Sequence, residues 1–184
     1  MSLLEAKNVT LIRGGRLLVE GFDLALAPGG AVHLTGPNGV GKSSLLRCVA
    51  GLLRPASGTI THRGVALADD RLALDDERSL GEALGFWCRL DSGDLETALA
   101  SMGLERLGDV PVRYLSTGQR QRARIARVIA SRVPLWLLDE PANGLDAEGR
   151  ERLASVIDAH RAAGGAVLAA SHVPFAEDMR EVAL

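Results

Sequence analysis

Residues 36 to 43 read Gly36-Pro37-Asn38-Gly39-Val40-Gly41-Lys42-Ser43 and constrain the chain more than any other stretch. The run fits GxxxxGK[ST] and lies between a short apolar segment, Ala31 to Thr35, and a segment from Ser43 to Leu53 with helical apolar spacing. Strand, glycine-rich turn and helix is the order that wraps a phosphate. Gly36, Gly39 and Gly41 permit positive φ, so successive amides turn inward as an anion nest, and the helix adds its positive end at the same point. Lys42 is then within reach of the β and γ phosphates, and the Ser43 hydroxyl is a magnesium ligand. The candidate nucleotide-binding set is Gly36, Pro37, Asn38, Gly39, Val40, Gly41, Lys42, Ser43 and Ser44.

A second pattern completes such a site. Leu135-Trp136-Leu137-Leu138 is a buried strand by composition and runs directly into Asp139 and Glu140. Asp139 thus falls at the carboxyl edge of a sheet, where a phosphate-bound Mg2+ sits, contacted directly or through water. Glu140 follows, placed to orient and deprotonate a water; that role needs an acceptor and is lost with an amide.

The remaining chain supports a sheet covered on both faces. Leu3 to Ile12 and Leu17 to Leu26 read as two extended segments joined by a Gly-rich turn, with Phe22, Leu24 and Leu26 alternating with Asp23 and Ala25. Short helices are expected over 79 to 90 and 92 to 102, with Ser79 and Ser92 as N-caps and Gly103 as a stop. An Arg-dense helix is expected over 118 to 131, another helix over 145 to 163, and a small apolar strand over 166 to 170. Short apolar strands alternating with helices predict an α/β fold with a mostly parallel sheet. The expected organisation is one domain over 1 to 184, with a helical subdomain at about 75 to 132.

Composition excludes several functions. A formal charge of −2 and 3% aromatics lack the basic field and stacking surface of a dedicated nucleic-acid binder. No window approaches the roughly 18 apolar residues of a membrane span, and the charged N-terminal stretch argues against a signal peptide. Cys48 and Cys88 stand outside any CxxC pair and read as buried thiols in a reducing compartment. His33, His62 and His160 show no ligand spacing. Arg120, Arg122, Arg124, Arg127 and Arg132 wrap around their helix and read as a solvated, ion-paired face.

The most discriminating string is Leu115-Ser116-Thr117-Gly118-Gln119. Together with GPNGVGKS, LWLLDEP, the run Asn143-Gly144-Leu145-Asp146 and Ser171-His172, it resembles the ATP-binding cassette ATPases over essentially the whole chain. The resemblance implies a P-loop NTPase core with an N-terminal antiparallel part and a helical subdomain. It also implies ATP and Mg2+, and a head-to-tail homodimer with two ATPs between subunits. Ser116, Thr117, Gly118 and Gln119 would close on the γ phosphate held by the other copy, a reading consistent with a serine-capped helix start. Asn143 to Asp146 would communicate across the dimer, and His172 would contact the γ phosphate.

Within the cassettes, the chain is similar to the ATPase subunits of the haem exporters of cytochrome c maturation. The features are the Arg13-Gly14-Gly15-Arg16 turn, LLRCVAGLLRP, Asp109-Val110-Pro111-Val112, Trp136, and His160 followed by Gly164-Gly165. That likeness implies integral membrane subunits as partners, on the cytoplasmic face of a bacterial inner membrane, with no direct haem contact. The alternatives are a nucleotide-gated dimerisation or regulatory module that hydrolyses little, and the ATPase of another small transporter.

Two features depart from the cassette pattern. No aromatic precedes Phe22 to stack on adenine, leaving Arg13 or Arg16 to lie over the base. No Gln precedes Gln119 either, and Ala66 to Leu74 reads as running from a turn straight into the helical part, as though a strand and a glutamine-bearing loop were deleted. Asp69, Asp70, Asp75 and Asp76 are the substitute oxygen donors, and spacing does not choose among them.

Overall fold

The Gly14-Gly15 turn, with φ of 56° and 76°, folds the first two segments onto each other as β1 (Leu4–Arg13) and β2 (Arg16–Leu26). This computed structural model describes residues 1–71, 74–172, 175–176 and 178–184. In β2, Phe22, Leu24 and Leu26 are buried while Asp23 and Ala25 face out, as the alternation predicts.

After β3 (Ala31–Thr35) and α1 (Lys42–Val49) comes β4 (Ser57–His62), which pairs antiparallel with the free side of β1 and gives the order β2-β1-β4. The sequence reading missed β4 because SGTITH has no buried residue to reveal it. Beyond it lie β5 (Val65–Ala68), α2 (Leu80–Asp91), α3 (Leu95–Ser101), α4 (Thr117–Ala130), β6 (Leu135–Asp139), α5 (Ala147–Ala162), β7 (Ala166–Ala170) and β8 (Arg180–Ala183).

A second sheet has the order β5-β6-β7-β3-β8, and every pairing in it is parallel. Its strands feed two cores. Leu135 and Leu137 of β6 pack with Leu45, Leu46 and the antiparallel sheet. Trp136 and Leu138 face the other way, toward Leu84, Ile125 and Leu153 of the helices. With both faces covered, the strand reads as an unbroken apolar run.

The helices show which local signals were read correctly. Ser79 caps α2, bonded to the Glu82 amide in a reciprocal capping box. Ser92, expected to start the next helix, instead ends α2 in the left-handed region at φ 55°, and Asp94 caps α3. The Ser92 and Gly93 amides both close on the Cys88 carbonyl, which ends α2, and Gly93 then packs so tightly that a Cβ would lie 1.7 Å from the Ala130 carbonyl.

Two larger expectations are corrected. Val65–Ala68 is a strand, parallel to β6 in the register Val65↔Leu135 to Ala68↔Leu138, so the sheet element expected to be missing is present. Four small apolar residues followed by acids carry too little periodicity to identify such a strand. Leu72 and Ala73 of the same stretch lie outside the described residues. The Arg-dense face of α4 is only partly solvated: Arg120 pairs with Asp76, but Arg127 is buried under the Trp87 ring. β8 was also missed, since REVA is a polar edge strand.

Candidate nucleotide site

The carboxyl ends of β3, β6 and β7 deliver the lysine turn, Asp139–Glu140 and Ser171–His172 to one crevice. Gly41 precedes α1 with φ 126°, and a Cβ there would lie 3.1 Å from Leu18 Cβ and 3.2 Å from Val19 Cγ2. Glycine is thus required twice over, by backbone and by space. Lys42 is only 7% exposed, and its Nζ donates to the Gly36 carbonyl at 2.7 Å and the Pro37 carbonyl at 3.2 Å. The ammonium is held inside its own turn, at the mouth of α1. A cavity of about 510 Å³ opens there, lined by Asn38, Gly39, Gly41, Lys42, Ser43 and Ser44 from the turn and by Glu140, Asn143 and His172 across from it. Arg13 and Leu18 also line it; Arg16 does not.

Ser43 Oγ donates to Asp139 Oδ1 at 3.0 Å. Burial pushes the Asp139 carboxyl above the usual carboxylate range, opposed by the Ser43 hydrogen bond and reinforced by the neighbouring Glu140 charge. A hydroxyl and a half-buried carboxylate side by side make a hard oxygen pair of the kind that suits a small divalent cation. Among the described residues no cluster of three or more His, Cys, Asp or Glu has metal-holding geometry, so the protein offers these two oxygens and not a full cage.

Glu140 sits in the left-handed region at φ 49°, a conformation that persists only where its surroundings hold it. Its amide donates to the Ala170 carbonyl at 2.8 Å. Gln121 of α4, 5% exposed, donates to the Glu140 carbonyl at 3.3 Å and the Pro141 carbonyl at 2.9 Å. The carboxylate divides its work: Oε1 lies 3.3 Å from His172 Nε2, and Oε2 is buried with no hydrogen-bond partner among the described residues. His33 Nε2 donates to the Ser171 carbonyl at 2.8 Å, which anchors the strand end that carries His172.

The Ser116 string starts α4. Ser116 Oγ accepts from the Gln119 amide at 3.3 Å, and Gln119 Oε1 accepts from the Ser116 amide at 2.8 Å. Thr117 lines a second cavity of about 520 Å³ with Ser43, Asp139 and Glu140. Ser116, Gly118 and Gln119 line neither cavity, but Gly118 lies against the Asn143–Asp146 loop, where an added Cβ would be 3.1 Å from the Gly144 carbonyl. In that loop Asp146 caps α5 through the Gly149 amide at 2.9 Å. Pro37, Val40 and Gly36 form the back of the turn and do not line the cavities.

Residues 19–143 match the ABC transporter family. The chain belongs to that family. A cytochrome c biogenesis ATP-binding export protein CcmA from Novosphingobium aromaticivorans is 54% identical over 183 residues, 98% of this chain and 95% of that one. The protein of the same description from Zymomonas mobilis is 50% identical over 172 residues, covering 92% and 78%. Among solved structures, an ATP-binding subunit of an ABC transporter superposes with a TM-score of 0.84 at 25% identity, over 94% of this chain and 80% of that one. The ADP conformation of an ATP-binding cassette, 20% identical with a TM-score of 0.75 over 95% and 83%, shows the shared fold.

This ABC-type ATPase uses residues that sequence reading did not single out. Gln121 was hidden inside the Arg-dense run, and its contact with Glu140 depends on α4 docking against the end of β6. His33 carried no spacing signal because its partner is 138 positions away. Arg47 was read only as part of a helix, although it pairs with both Asp69 and Asp70.

Proposed function

We propose that this ABC ATPase is the ATP-hydrolysing subunit of a membrane exporter serving cytochrome c biogenesis, the haem exporter being the specific assignment. The description of the relatives, shared over nearly the whole chain, supports this reading. No described helix is long and apolar enough to cross a membrane, so integral membrane subunits would supply the path. The chain then works peripherally on the cytoplasmic face of a bacterial inner membrane, without touching haem. Residues 75–132 form its helical subdomain within a single domain spanning 1–184.

The observation that carries the catalytic reading is the buried Glu140 Oε2, an acceptor without a donor among the described residues, beside the Ser43–Asp139 pair. Lys42 leaves the Gly36 and Pro37 carbonyls to hold the β and γ phosphates, with the turn amides of Gly39, Val40 and Gly41 around them. Ser43 and Asp139 are the residues that would hold Mg2+, which when bound would neutralise charge developing on the phosphate oxygens. Glu140 Oε2 accepts a proton from the attacking water as its oxygen bonds to the γ phosphorus and the bond to ADP breaks. His172 keeps Oε1 occupied, so that the other oxygen serves as the base.

In the active species two copies sandwich two ATPs, each site closed by Ser116, Thr117, Gly118 and Gln119 of the other copy. The positive end of the fourteen-residue α4 supports an anion there. The test is phosphate release by the purified chain, alone and reconstituted with the integral membrane subunits of a cytochrome c biogenesis exporter. Turnover stimulated by those subunits is the expected result. ATP-dependent dimers without phosphate release in either setting would favour a nucleotide-gated module.

A further inference from the structure

Ser43 and Arg47 stand four residues apart on α1 and therefore share one face of the helix. Ser43 meets Asp139 at 3.0 Å, while Arg47 forks to two acids: Nε to Asp69 Oδ2 at 3.1 Å and Nη2 to Asp70 Oδ1 at 2.5 Å. We propose that Arg47, clamped between Asp69 and Asp70, is a positioning residue for ATP hydrolysis that locks the end of β5 to the Ser43 face of α1.

Three observations carry this. First, Arg47 lines two cavities at once. On one side lies the 520 Å³ space shared by Ser43, Asp70, Asp139 and Glu140. On the other lies a groove of about 600 Å³ that includes Asp69, Trp87 and Arg127. The guanidinium is part of the wall between them, with one carboxylate partner on each side.

Second, the clamp is partly sheltered: the Arg47 and Asp69 side chains are 18% and 10% exposed, while Asp70 is 77% exposed. A forked guanidinium shared by two carboxylates gives directional bonds that an isolated surface pair does not. Asp69 is itself oriented, its Oδ1 accepting the Arg71 amide at 3.1 Å.

Third, arginines from two different helices grip the end of β5. β5 is a four-residue edge strand whose one ladder among the described residues is with β6. Beyond that ladder, Arg127 of α4 donates to the Leu67 carbonyl from the groove side and Arg47 of α1 grips from the nucleotide side. A shift of the groove wall is therefore transmitted through Leu67–Asp70 to Arg47, and from there to the face that carries Ser43. Displacements of about 1 Å at reacting groups change rates by up to about a hundredfold. A clamp this close to the Ser43–Asp139 pair is positioned to govern turnover while leaving the phosphate turn intact.

The experiment is single-turnover phosphate release and, separately, ATP affinity, for Arg47→Met, Asp70→Asn and the double variant, with melting temperatures as a folding control. Expected are a rate lowered by about tenfold in Arg47→Met with affinity within about twofold, and a double variant no slower than Arg47→Met, as for groups acting as one unit. The exposed Asp70→Asn keeps the test valid if Arg47→Met does not fold; it alone should slow the rate. An unchanged rate in folded Arg47→Met or in Asp70→Asn, a loss confined to affinity, or additive losses in the double variant would overturn the proposal.

Discussion

His172 and Glu140, delivered by the ends of neighbouring strands, meet at 3.3 Å between Nε2 and Oε1, and the second Glu140 oxygen is buried without a donor among the described residues. The pairing orients one carboxylate oxygen and leaves the other for the base role proposed above. In Glu140→Gln the geometry can persist, but the side chain no longer takes up a proton. Phosphate release should fall by about 10²- to 10⁴-fold, while ATP affinity, which the proposed site assigns to the lysine turn, should stay near wild type. Turnover within a few-fold of wild type would remove Glu140 from the role of base.

Lys42→Ala acts on the other half of the site. It removes the charge proposed to hold the phosphates and also the two bonds to the Gly36 and Pro37 carbonyls within the turn. A charge-assisted bond contributes about 1.5 to 3 kcal/mol, so ATP affinity should drop by about 10- to 100-fold. Titration with a fluorescent ATP analogue measures this directly.

The far edge of the sheet holds a pH-sensitive contact. His160 stacks on Trp136 with centroids 3.8 Å apart and donates from Nε2 to the Pro134 carbonyl at 3.2 Å. Burial lowers its pKa below the ordinary 6.5, with the bonds to Pro134 and Ala166 opposing. The unfolded chain therefore binds this proton at a higher pH than the native one. Stability contributed by neutral His160 is present above the unfolded value and is lost as pH falls through it toward the lower folded value. Melting curves between about pH 8 and about pH 5 should show His160→Gln flattening the acid-side loss of Tm. Parallel curves for the two proteins would contradict this.

Gly165 makes the same contact unforgiving. An added Cβ would lie 2.2 Å from His160 Nε2 and 2.3 Å from Cε1, with the ring already pressed against Trp136. Gly165→Ala must displace the imidazole or the turn, and we expect a cost of about 1 to 3 kcal/mol from overpacking, read as a lower Tm with the ATP site intact.

Ser116→Ala removes one half of the capping box at the start of α4. The loss should be about 0.5 to 2 kcal/mol of stability, or about 2 to 4 °C in Tm for each kcal/mol in a chain of this size. If Ser116 also seals the other copy's nucleotide, ATP-dependent dimerisation in Glu140→Gln should weaken further when Ser116→Ala is added. Analytical ultracentrifugation separates the two effects, because a purely structural cap would lower Tm and leave the dimer constant unchanged.

Much of the site was legible because its signals are local. The glycine turn, the Ser79 and Ser116 caps and the Asp139–Glu140 strand end depend on residues within a few positions, and each was found where the spacing predicts. The failures cluster where a segment's identity depends on a distant neighbour. Ser92 reads as an N-cap but closes α2 as its left-handed C-cap, next to a Gly93 packed tightly against Ala130. Val65–Ala68 reads as a loop until β6 offers it a ladder.

The sequence by itself determined the lysine turn, the two acids that follow a buried strand and the capped helix behind Leu115, because φ preferences, period and capping chemistry act over one or two turns of chain. Only the tertiary structure decided that Arg47 spans Asp69 and Asp70, that Gln121 supports Glu140 and that His33 steadies Ser171. Those contacts join residues from 19 to 138 positions apart. They exist because the parallel sheet brings separate strand ends to one edge, where buried polar groups must find partners.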